Sequence, residues 1–481
     1  MSSVIDDSKI KRKCQIFTPQ KIVENLLDIA GYNNNLFGKR VLENSCGNGE
    51  VLVQIVKKYI DDCINNNFSI RKIKAGLEND LFAFDIDKKL IEDCRNRLNV
   101  LTLEYGINSV NWKIYCQDFL KLNLGEQFDF IIGNPPYVAY QDLPKDVRNF
   151  VRKTYSTCQK GKFDYSYAFI EKSYSVLKSG GKLVYIIPSN IFKNIFAHSL
   201  RTLIKKDLCT IIDYPSDFVF KDVLVAPAII KVVKNSNAED FIYKSNNNNF
   251  QEIRIRKDSL NDKWVFENEV EELNFRVGDY FKVSCSIATL LNKAFIIKNA
   301  KKEGNYYVIE GFKFEKDALK KAASPKHIKK NKCSELIIFP YHYSDTGKLL
   351  RYSEEEMYRL FPCTMQYLEL FRKELEERIA EKNVSWFEFG RSQALNNIIV
   401  KKLIVSTVIS NCTKAYILEE EEIPYSGMYI VSKGNKSLSS LIKVLNTNEF
   451  KKYVNQVGVS VKGMSKRIGP KDIENYTYKE E

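Results

Sequence analysis

The chain is poor in the residues that most metal and nucleophile sites require. Only three histidines stand among its 481 residues, and its 11 cysteines form no Cys-x-x-Cys pair. Too few candidates remain for a zinc site or for a histidine-based triad. The odd number and scattered spacing of the cysteines indicate reduced thiols in the core, not a disulfide framework. We therefore expect chemistry that needs no metal.

Long apolar runs and a signal segment are lacking as well. No apolar stretch approaches the ~20 residues that cross a bilayer, and the first residues lack the basic-then-apolar layout of a signal peptide. This predicts a cytosolic protein without membrane contact. A hydrophobic fraction of 44% with 12 prolines is typical of a globular chain, and the length allows two or three domains.

Basic residues are in excess, and the formal net charge is +14. Such an excess attracts a polyanionic partner, either nucleic acid or an anionic membrane. The charge alone does not choose between these two partners.

The order of apolar and amphipathic segments predicts a mostly parallel α/β sheet in the first half. A polar stretch at 246–249 is the expected linker, so we place the domains at 1–248 and 249–481. The second half loses the alternation, and its one long helical candidate spans 353–382, broken or kinked at Pro362. Strands are predicted at 39–43, 81–85, 112–116, 128–133, 182–188 and 210–213.

The most informative stretch is Asn134-Pro135-Pro136-Tyr137, which directly follows the apolar run 128–133. Two successive prolines supply no backbone N–H, so the carbonyls there can only accept hydrogen bonds. The Asn134 amide, the Pro135 carbonyl and the Tyr137 ring suit a planar base that carries an amine. The ordinary alternative for a Pro-Pro pair is a rigid turn that binds nothing.

Glycines and aspartates end the preceding predicted strands, where ligands bind in sheets of this kind. Gly47 and Gly49 follow the first strand, but they form neither a dinucleotide fingerprint nor a phosphate loop, so a ligand without phosphates is preferred. Asp85 ends the second strand and can take both hydroxyls of a ribose. Asp118 ends the third and could accept from an adenine amine. Each aspartate could instead cap a helix, but together they indicate an adenosine.

With these motifs the chain resembles the N6-adenine DNA methyltransferases, specifically the gamma class of TaqI-type enzymes from type II restriction-modification systems. The similar segments occur in the family's order along nearly the whole chain. One departure is Asn44, where the family usually has proline, and we expect it to change the rigidity of the loop more than its ligand. The similar segments of the first half are Phe17-Thr18-Pro19, 42–49, 84–87, 117–119, 134–137, Asp164, 169–171, 180–183 and 187–189.

The resemblance implies a Rossmann-like α/β methyltransferase domain dependent on S-adenosylmethionine, followed by a mixed α+β DNA target-recognition domain. Glu43 and Asp85 would hold the methionine and ribose parts of the cofactor, Asp118 would hold its adenine amine, and Thr18 would lie near the methionine carboxylate. The residues implied in cofactor binding are Phe17, Thr18, Glu43, Ser45, Cys46, Gly47, Asp85, Ile86, Asp118, Phe119 and Asn134.

The resemblance also implies site-specific methylation of adenine N6 in double-stranded DNA, with Asn134, Pro135 and Tyr137 as the catalytic residues. The Asn134 side chain and the Pro135 carbonyl would accept the two amine hydrogens, in a direct transfer without a covalent enzyme intermediate. A stacked base cannot reach such a pocket, so the adenine must flip out. Tyr137 would stack on one face of it and Phe220 on the other, with Phe218 as the competing candidate.

Two regions supply candidates for DNA contact. The loop 138–162 is placed to close over DNA, and the segments 288–297 and 386–393 resemble pieces of the family's target-recognition domain. Charged residues more often form solvated faces, which is the alternative for each candidate. The candidates are Arg148, Lys153, Arg391, Gln393 and Lys466. We expect a monomer, with any cleavage supplied by a separate cognate restriction endonuclease, because few residues precede Phe17.

Three other functions fit parts of the pattern. Methyltransferases for the glutamine amide of translation factors resemble the same Asn-Pro-Pro-Tyr site, but they are short and lack a large basic second domain. Enzymes that methylate cytosine N4 usually have serine in place of Asn134. An inactive specificity or assembly subunit could keep the fold, but the intact set of acceptors argues against it.

Overall fold

The computed structural model describes residues 18–125, 127–214, 226–246, 249–266, 275–326, 335–410, 412–461 and 465–479. The chain divides into two compact units, Met1–Glu269 and Val270–Glu481. No helix among the described residues has both the length and the apolar character needed to span a bilayer.

The described strands of the first unit form one nine-stranded sheet, in the order β3-β2-β1-β4-β5-β7-β6-β8-β9. The five strands from β3 to β5 are parallel to their neighbours, whereas β7 runs antiparallel to both β5 and β6. The carboxyl ends of β1 to β5 therefore meet at one edge. The strands are β1 Val41–Glu43, β2 Leu81–Asp85, β3 Lys113–Cys116, β4 Phe128–Gly133, β5 Leu177–Pro188, β6 Leu208–Asp213, β7 Pro227–Val233, β8 Asp240–Ser245 and β9 Ile253–Arg256.

Helices cover both faces of this sheet, which is why its central strands are almost continuously apolar. Side chains of β4 point alternately into two cores, with Ile131 in one and Ile132 in the other. Tyr167 and Ile170 join the first core, and Ile55 joins the second. The helices are α1 Gln20–Ala30, α2 Glu50–Asn65, α3 Ile70–Asp80, α4 Lys88–Glu104, α5 Lys145–Thr154, α6 Ser166–Val176 and α7 His198–Lys205.

The predicted strands 81–85 and 128–133 are confirmed at both ends, and the other four are found with shifted ends. The sequence did not predict helices α1, α3, α5, α6 and α7 or the strands β7, β8 and β9, and part of the predicted loop 138–162 is the helix α5. Asp87 caps α4, since its Oδ1 accepts from the backbone N–H of Lys89 and Leu90 at 3.0 and 3.4 Å.

The predicted domain boundary at 248/249 lies between two paired strands of this sheet, because β8 and β9 run antiparallel to each other. The polar stretch at 246–249 thus connects neighbouring strands and does not separate the compact units. The first unit continues to Trp264, which is buried, stacks on Phe192 and donates its backbone N–H to the Phe192 carbonyl at 2.8 Å.

The described strands of the second unit form small sheets of two to four strands, a mixed arrangement of strands and short helices. Its core contains Phe295, Phe339, Phe389 and Leu368. The strands are β10 Phe275–Arg276, β11 Phe281–Cys285, β12 Ile296–Lys298, β13 Lys301–Glu303, β14 Tyr306–Ile309, β15 Phe312–Glu315, β16 Leu319–Ala323, β17 Glu335–Ile338, β18 Tyr341–Tyr343, β19 Leu349–Arg351, β20 Lys402–Val405, β21 Val408–Ile409, β22 Ala415–Leu418, β23 Glu422–Pro424, β24 Met428–Ser432, β25 Val459–Ser460, β26 Lys466–Arg467 and β27 Thr477–Tyr478.

The helical segment predicted over 353–382 is broken at Pro362, as one of the two alternatives had it, but it also ends early and holds three short helices. Ser353 and Glu356 form the expected capping box at the start of the first, and Pro362 opens the second, as its missing N–H allows. The helices of this unit are α8 Val277–Tyr280, α9 Asn292–Phe295, α10 Glu354–Leu360, α11 Pro362–Glu369, α12 Arg372–Glu376, α13 Leu438–Leu445, α14 Asn448–Val457 and α15 Pro470–Glu474.

Candidate active site

A cleft opens at the carboxyl edge of the nine-stranded sheet, where β1, β2, β3 and β4 end. It brings together every described residue that the sequence implicated in cofactor binding. Phe17 lies outside the described residues. The lining residues are Thr18, Glu43, Asn44, Ser45, Cys46, Gly47, Asn48, Glu50, Val51, Asp85, Ile86, Asp87, Leu90, Gln117, Asp118, Phe119, Asn134, Pro136, Tyr165 and Phe169.

Glu43 ends β1 and is the most deeply buried carboxylate of the cleft, with 3% of the residue exposed. Burial raises the pKa of its carboxyl well above the usual range, and the nearby Cys94 thiol adds to this effect. Among the described residues its Oε2 has no hydrogen-bond partner. A buried carboxylate oxygen without a partner is costly, so this atom marks a place where a ligand donor fits.

The turn after β1 depends on glycine. Gly47 and Gly49 have φ values of 52° and 89°, a conformation that favours glycine. A Cβ atom on Gly49 would also lie 2.7 Å from the Cys94 Sγ. Ser45 in the same turn donates its hydroxyl to the Asn134 carbonyl at 3.1 Å and so ties the turn to the end of β4.

Asp85 at the end of β2 braces this turn. Its Oδ2 accepts from the Gly47 N–H at 2.8 Å, and its Oδ1 accepts from the Asp87 N–H at 2.9 Å. Burial raises the pKa of Asp85, although these backbone donors oppose the shift. Asp85 is therefore not the cap of α4, which is Asp87.

Asp118 at the end of β3 does cap a short helical turn, as the simpler alternative foresaw. Its Oδ1 accepts from the Leu120 N–H at 3.1 Å, and its Oδ2 lies 3.1 Å from the Lys121 Nζ. Asp118 nevertheless lines the cleft, so capping and ligand contact are compatible at this position.

Asn134 stands at the mouth of the cleft, directly after β4. Its Nδ2 donates to the Thr18 Oγ1 at 3.3 Å. The Tyr137 hydroxyl faces two acceptors, the Asn134 Oδ1 and the Ile186 carbonyl oxygen, the latter at 2.6 Å. Burial raises the pKa of Tyr137 well above its usual value, so the hydroxyl keeps the proton that these acceptors share.

Sequence reasoning missed part of the cleft wall. Tyr165 and Phe169 lie one helical turn apart at the start of α6, with ring centroids 5.3 Å apart, and both line the cleft. Their four-residue spacing beside Asp164 was a signal that could have found them. Asn44, which departs from the family pattern, is tied to α6 because its Nδ2 donates to the Ser173 Oγ at 2.7 Å.

The remaining described candidates of the first unit do not line this cleft. Phe220 and its competitor Phe218 lie outside the described residues. Arg148 and Lys153 lie on α5, where Lys153 is exposed and the Arg148 guanidinium lies 5.0 Å from the centre of the Tyr140 ring.

Three further candidates belong to the second unit. Arg391 and Gln393 are exposed, and the backbone of Arg391 pairs with Ala288. Lys466 donates from its Nζ to the Ser460 Oγ at 2.8 Å.

Sulfur and possible metal ligands are also placed by the structure. The nine cysteines in the described part of the chain are all free thiols, and Cys94 is buried, whereas Cys116 is exposed and Cys209 half-buried. The expectation of core cysteines is thus wrong for Cys116. Within the described ranges no group of three or more His, Cys, Asp or Glu side chains could hold a metal ion.

Comparison with known proteins shows which proteins the segment around this site is similar to. Residues 36–220 match the Eco57I restriction-modification methylase family. The chain is 24% identical over 395 residues to the type II restriction enzyme and methyltransferase RM.Eco57I of Escherichia coli, covering 71% of this chain and 38% of that protein. It is 30% identical over 245 residues to the type II methyltransferase M.HincII of Haemophilus influenzae, covering 49% and 40%.

Two solved structures share the fold. The type IIL restriction-modification enzyme MmeI, solved in complex with DNA, matches with a TM-score of 0.58 at 12% identity over 97% of this chain and 65% of that one. The DrdV–DNA complex matches with a TM-score of 0.54 at 12% identity over 90% and 50%. By its match to the family model, the segment 36–220 is similar to methylases of the restriction-modification type. The chain spans about two fifths of the length of the curated relatives RM.Eco57I and M.HincII.

Proposed function

We propose that this protein is a site-specific DNA methyltransferase that transfers a methyl group from S-adenosylmethionine to the N6 atom of adenine. The observation that carries the proposal is the position of Asn134 in the lining of a cleft whose most buried carboxylate, Glu43, has one oxygen without a hydrogen-bond partner among the described residues. The class of the matching family and relatives supports methyl transfer to DNA.

The hydrogen-bond acceptors of the cleft fit S-adenosylmethionine. Glu43 has a buried oxygen ready to accept from the amino group of the methionine part, and Asp85 would take the ribose hydroxyls. Asp118 would accept from the adenine amine, with Ile86 and Phe119 beside the ring. When bound, this cofactor supplies a methyl group on a positively charged sulfur. The absence of a phosphate loop agrees with a nucleoside ligand that carries no phosphates.

Asn134 and Pro135 act on the substrate amine. In an adenine the N6 lone pair is delocalised into the ring, which makes the amine a poor nucleophile. Hydrogen bonds from its two hydrogens to the Asn134 Oδ1 and the Pro135 carbonyl localise that lone pair on nitrogen. Proline at 135 and 136 keeps competing N–H donors away from this point, so the acceptors remain available to the base.

The target adenine must leave the duplex to reach this cleft. Flipping costs a few kcal/mol, and stacking on an aromatic face returns ~1–3 kcal/mol per base. Tyr137 is the stacking partner on one face and Phe220 on the other. Contacts from basic residues to phosphates supply more binding free energy, which is the role proposed for Arg148, Lys153, Arg391 and Lys466, while Gln393 is suited to a base edge.

Double-stranded DNA is therefore the proposed partner, bound by a monomer whose second unit, Val270–Glu481, selects the sequence. Any cleavage of DNA is proposed to come from a separate cognate endonuclease. RM.Eco57I is by name both a restriction enzyme and a methyltransferase, and this chain spans 38% of its length.

One experiment tests the function directly. The purified protein is incubated with S-adenosylmethionine and genomic DNA from a host without adenine methylation, and modified bases are mapped by single-molecule sequencing. N6-methyladenine at one short motif is the expected result. Modified cytosine, or no modified base despite measurable cofactor binding, would contradict the proposal and favour a cytosine, protein or inactive alternative.

A further inference from the structure

A rigid turn beside the cleft holds an apolar side chain out in solvent. Ile195 is 67% exposed, the highest value for a large apolar residue in the described part of the first unit, and the adjacent Phe196 is 37% exposed. The turn follows the carboxyl end of β5. Single exposed apolar residues are common. Whether Ile195 has a function is therefore argued from where it lies and from the hydrogen bonds that hold its turn.

The turn is held from below by a buried arginine. Arg201 on α7 is 3% exposed, and its guanidinium donates to the carbonyls of Ile191 and Asn194 at 2.6 and 2.7 Å. The Asn194 side chain accepts from the Phe196 N–H at 3.0 Å. These bonds fix the backbone on both sides of Ile195, so its side chain cannot fold back against the protein without breaking them.

Two exposed lysines lie in the segment that packs against this apolar tip. The Phe196 ring packs over Gly161 so closely that a Cβ atom there would lie 2.1 Å from a ring carbon. Lys160 and Lys162, on either side of Gly161, are exposed. The Gly161 carbonyl accepts from the Arg152 guanidinium at 2.7 Å, which fixes this lysine-bearing segment in turn.

The tip and Asn134 lie at the same edge of the sheet. β4 and β5 are adjacent and parallel, with Gly133 paired to Tyr185, and Asn134 and the tip follow the carboxyl ends of these two strands. The lysine-bearing segment is also joined to the site, because Ala139 pairs with Asp164.

We propose that Ile195 is an apolar wedge that enters the base stack of DNA beside the flipped adenine, with Phe196 supporting it and Lys160 and Lys162 contacting the flanking phosphates. This inference rests on the proposed function and adds an interaction surface to it. Proteins that distort DNA insert apolar side chains of this kind between bases. A projecting apolar tip with two exposed lysines in the adjoining segment suits a polyanion with a stacked apolar interior better than it suits a flat protein surface.

The test compares a fully paired duplex with one in which the target adenine is unpaired and flips out at a lower cost in free energy. Ile195→Ser and Ile195→Met are assayed in the full chain on the matched recognition duplex and on a duplex with an abasic site opposite the target adenine. Val100→Ser is the control. Val100 is also an exposed apolar residue, at 60%, but it lies near the end of α4, and this helix runs from the carboxyl edge of the sheet towards the opposite edge.

Ile195→Ser is expected to lower single-turnover methylation of the matched duplex by about tenfold or more, since the apolar wedge that offsets the lost base stacking is removed. On the abasic duplex the loss should shrink to less than about threefold, because the adenine there is already poorly stacked. Ile195→Met should keep most of the wild-type rate on the matched duplex. Val100→Ser should leave the rates on both duplexes unchanged.

Equal losses on the two duplexes would overturn the wedge assignment, and so would unchanged rates on both, the result expected if the tip served a protein partner. Methylation of the abasic duplex by the wild-type protein tests the proposed methyl transfer separately. A failure of the proposed function can thus be told apart from a failure of the wedge assignment. Melting temperature and S-adenosylmethionine affinity, both expected to match wild type, show that each variant is folded.

Discussion

The Tyr137 hydroxyl donates a hydrogen bond to the Asn134 Oδ1, the atom that the target amine would need as its acceptor. The same hydroxyl lies 2.6 Å from the Ile186 carbonyl, which offers it a second acceptor. Because an amide oxygen has two lone pairs, the Asn134 Oδ1 can accept from N6 while it keeps this bond, and the Tyr137 hydroxyl can also direct its hydrogen to the Ile186 carbonyl.

Two substitutions of Tyr137 test the role of its hydroxyl and the role of its ring separately. Tyr137→Phe is expected to keep methyl transfer within about tenfold, because the stacking face remains, whereas Tyr137→Ala should weaken base flipping by about tenfold or more. Fluorescence of 2-aminopurine at the target position reports flipping, and calorimetry reports cofactor affinity, which should hardly change. Wild-type turnover by Tyr137→Ala would refute the stacking role.

Loss of the Asn134 amide should act on chemistry alone. Asn134→Ala is expected to lower the single-turnover rate by about 10²-fold or more, the scale seen when one well-placed polar group is removed from an active site. DNA and cofactor affinities should stay close to wild type. Asn149→Ala, which changes an exposed asparagine on α5, serves as the control. Joint loss of activity and both affinities would indicate misfolding instead.

Glu43 and Asp85 should differ in which part of the cofactor they recognise. Glu43→Gln is expected to weaken S-adenosylmethionine about tenfold or more, because a charge-assisted bond to the amino group is lost. It should leave 5′-methylthioadenosine, which has no amino acid part, unaffected. Asp85→Asn should weaken both ligands. Calorimetric titration measures each pair, and equal weakening of both ligands by Glu43→Gln would contradict its assignment.

Asp164 predicts a pH dependence of stability. Burial raises the pKa of its carboxyl to about 6, above an unfolded value near ~4. The folded chain thus holds this proton more tightly, so the free energy of unfolding falls as the pH rises from about 4 to about 6. In Asp164→Asn this loss, of the order of 2 kcal/mol, should be absent. Denaturant unfolding at several pH values measures it, and parallel profiles for the two proteins would contradict the prediction.

The basic charge predicts strong salt dependence of DNA binding. With a net charge of +14, and if six or more phosphates are contacted, affinity should fall by roughly 10³-fold between 50 and 200 mM salt. Lys153→Gln should reduce the slope of log affinity against log salt by about one. Fluorescence anisotropy with a labelled duplex provides both numbers, and a flat profile would contradict electrostatic binding.

Much of the site follows from local sequence. Each candidate at the cleft stands at the end of an apolar run, and parallel strands carry their ends to one edge of a sheet wherever the chain is wound in βαβ units. Local pattern therefore sufficed to bring Glu43, Asp85, Asp118 and Asn134 together without knowledge of distances. The capping roles of Asp87 and Ser353 were equally local, since each involves backbone within three residues.

Tertiary structure decided what depends on contacts between distant residues. The bond from Asn134 to Thr18 joins residues 116 positions apart, and the unpaired oxygen of Glu43 results from burial that no local pattern specifies. Strand β9 joins the first sheet across a polar stretch that composition alone marks as a linker. The clamp of Arg201 on the Ile195 turn is likewise set by packing. The sequence thus determined which groups meet, and the fold determined which of their hydrogen bonds are made and which are left for a ligand.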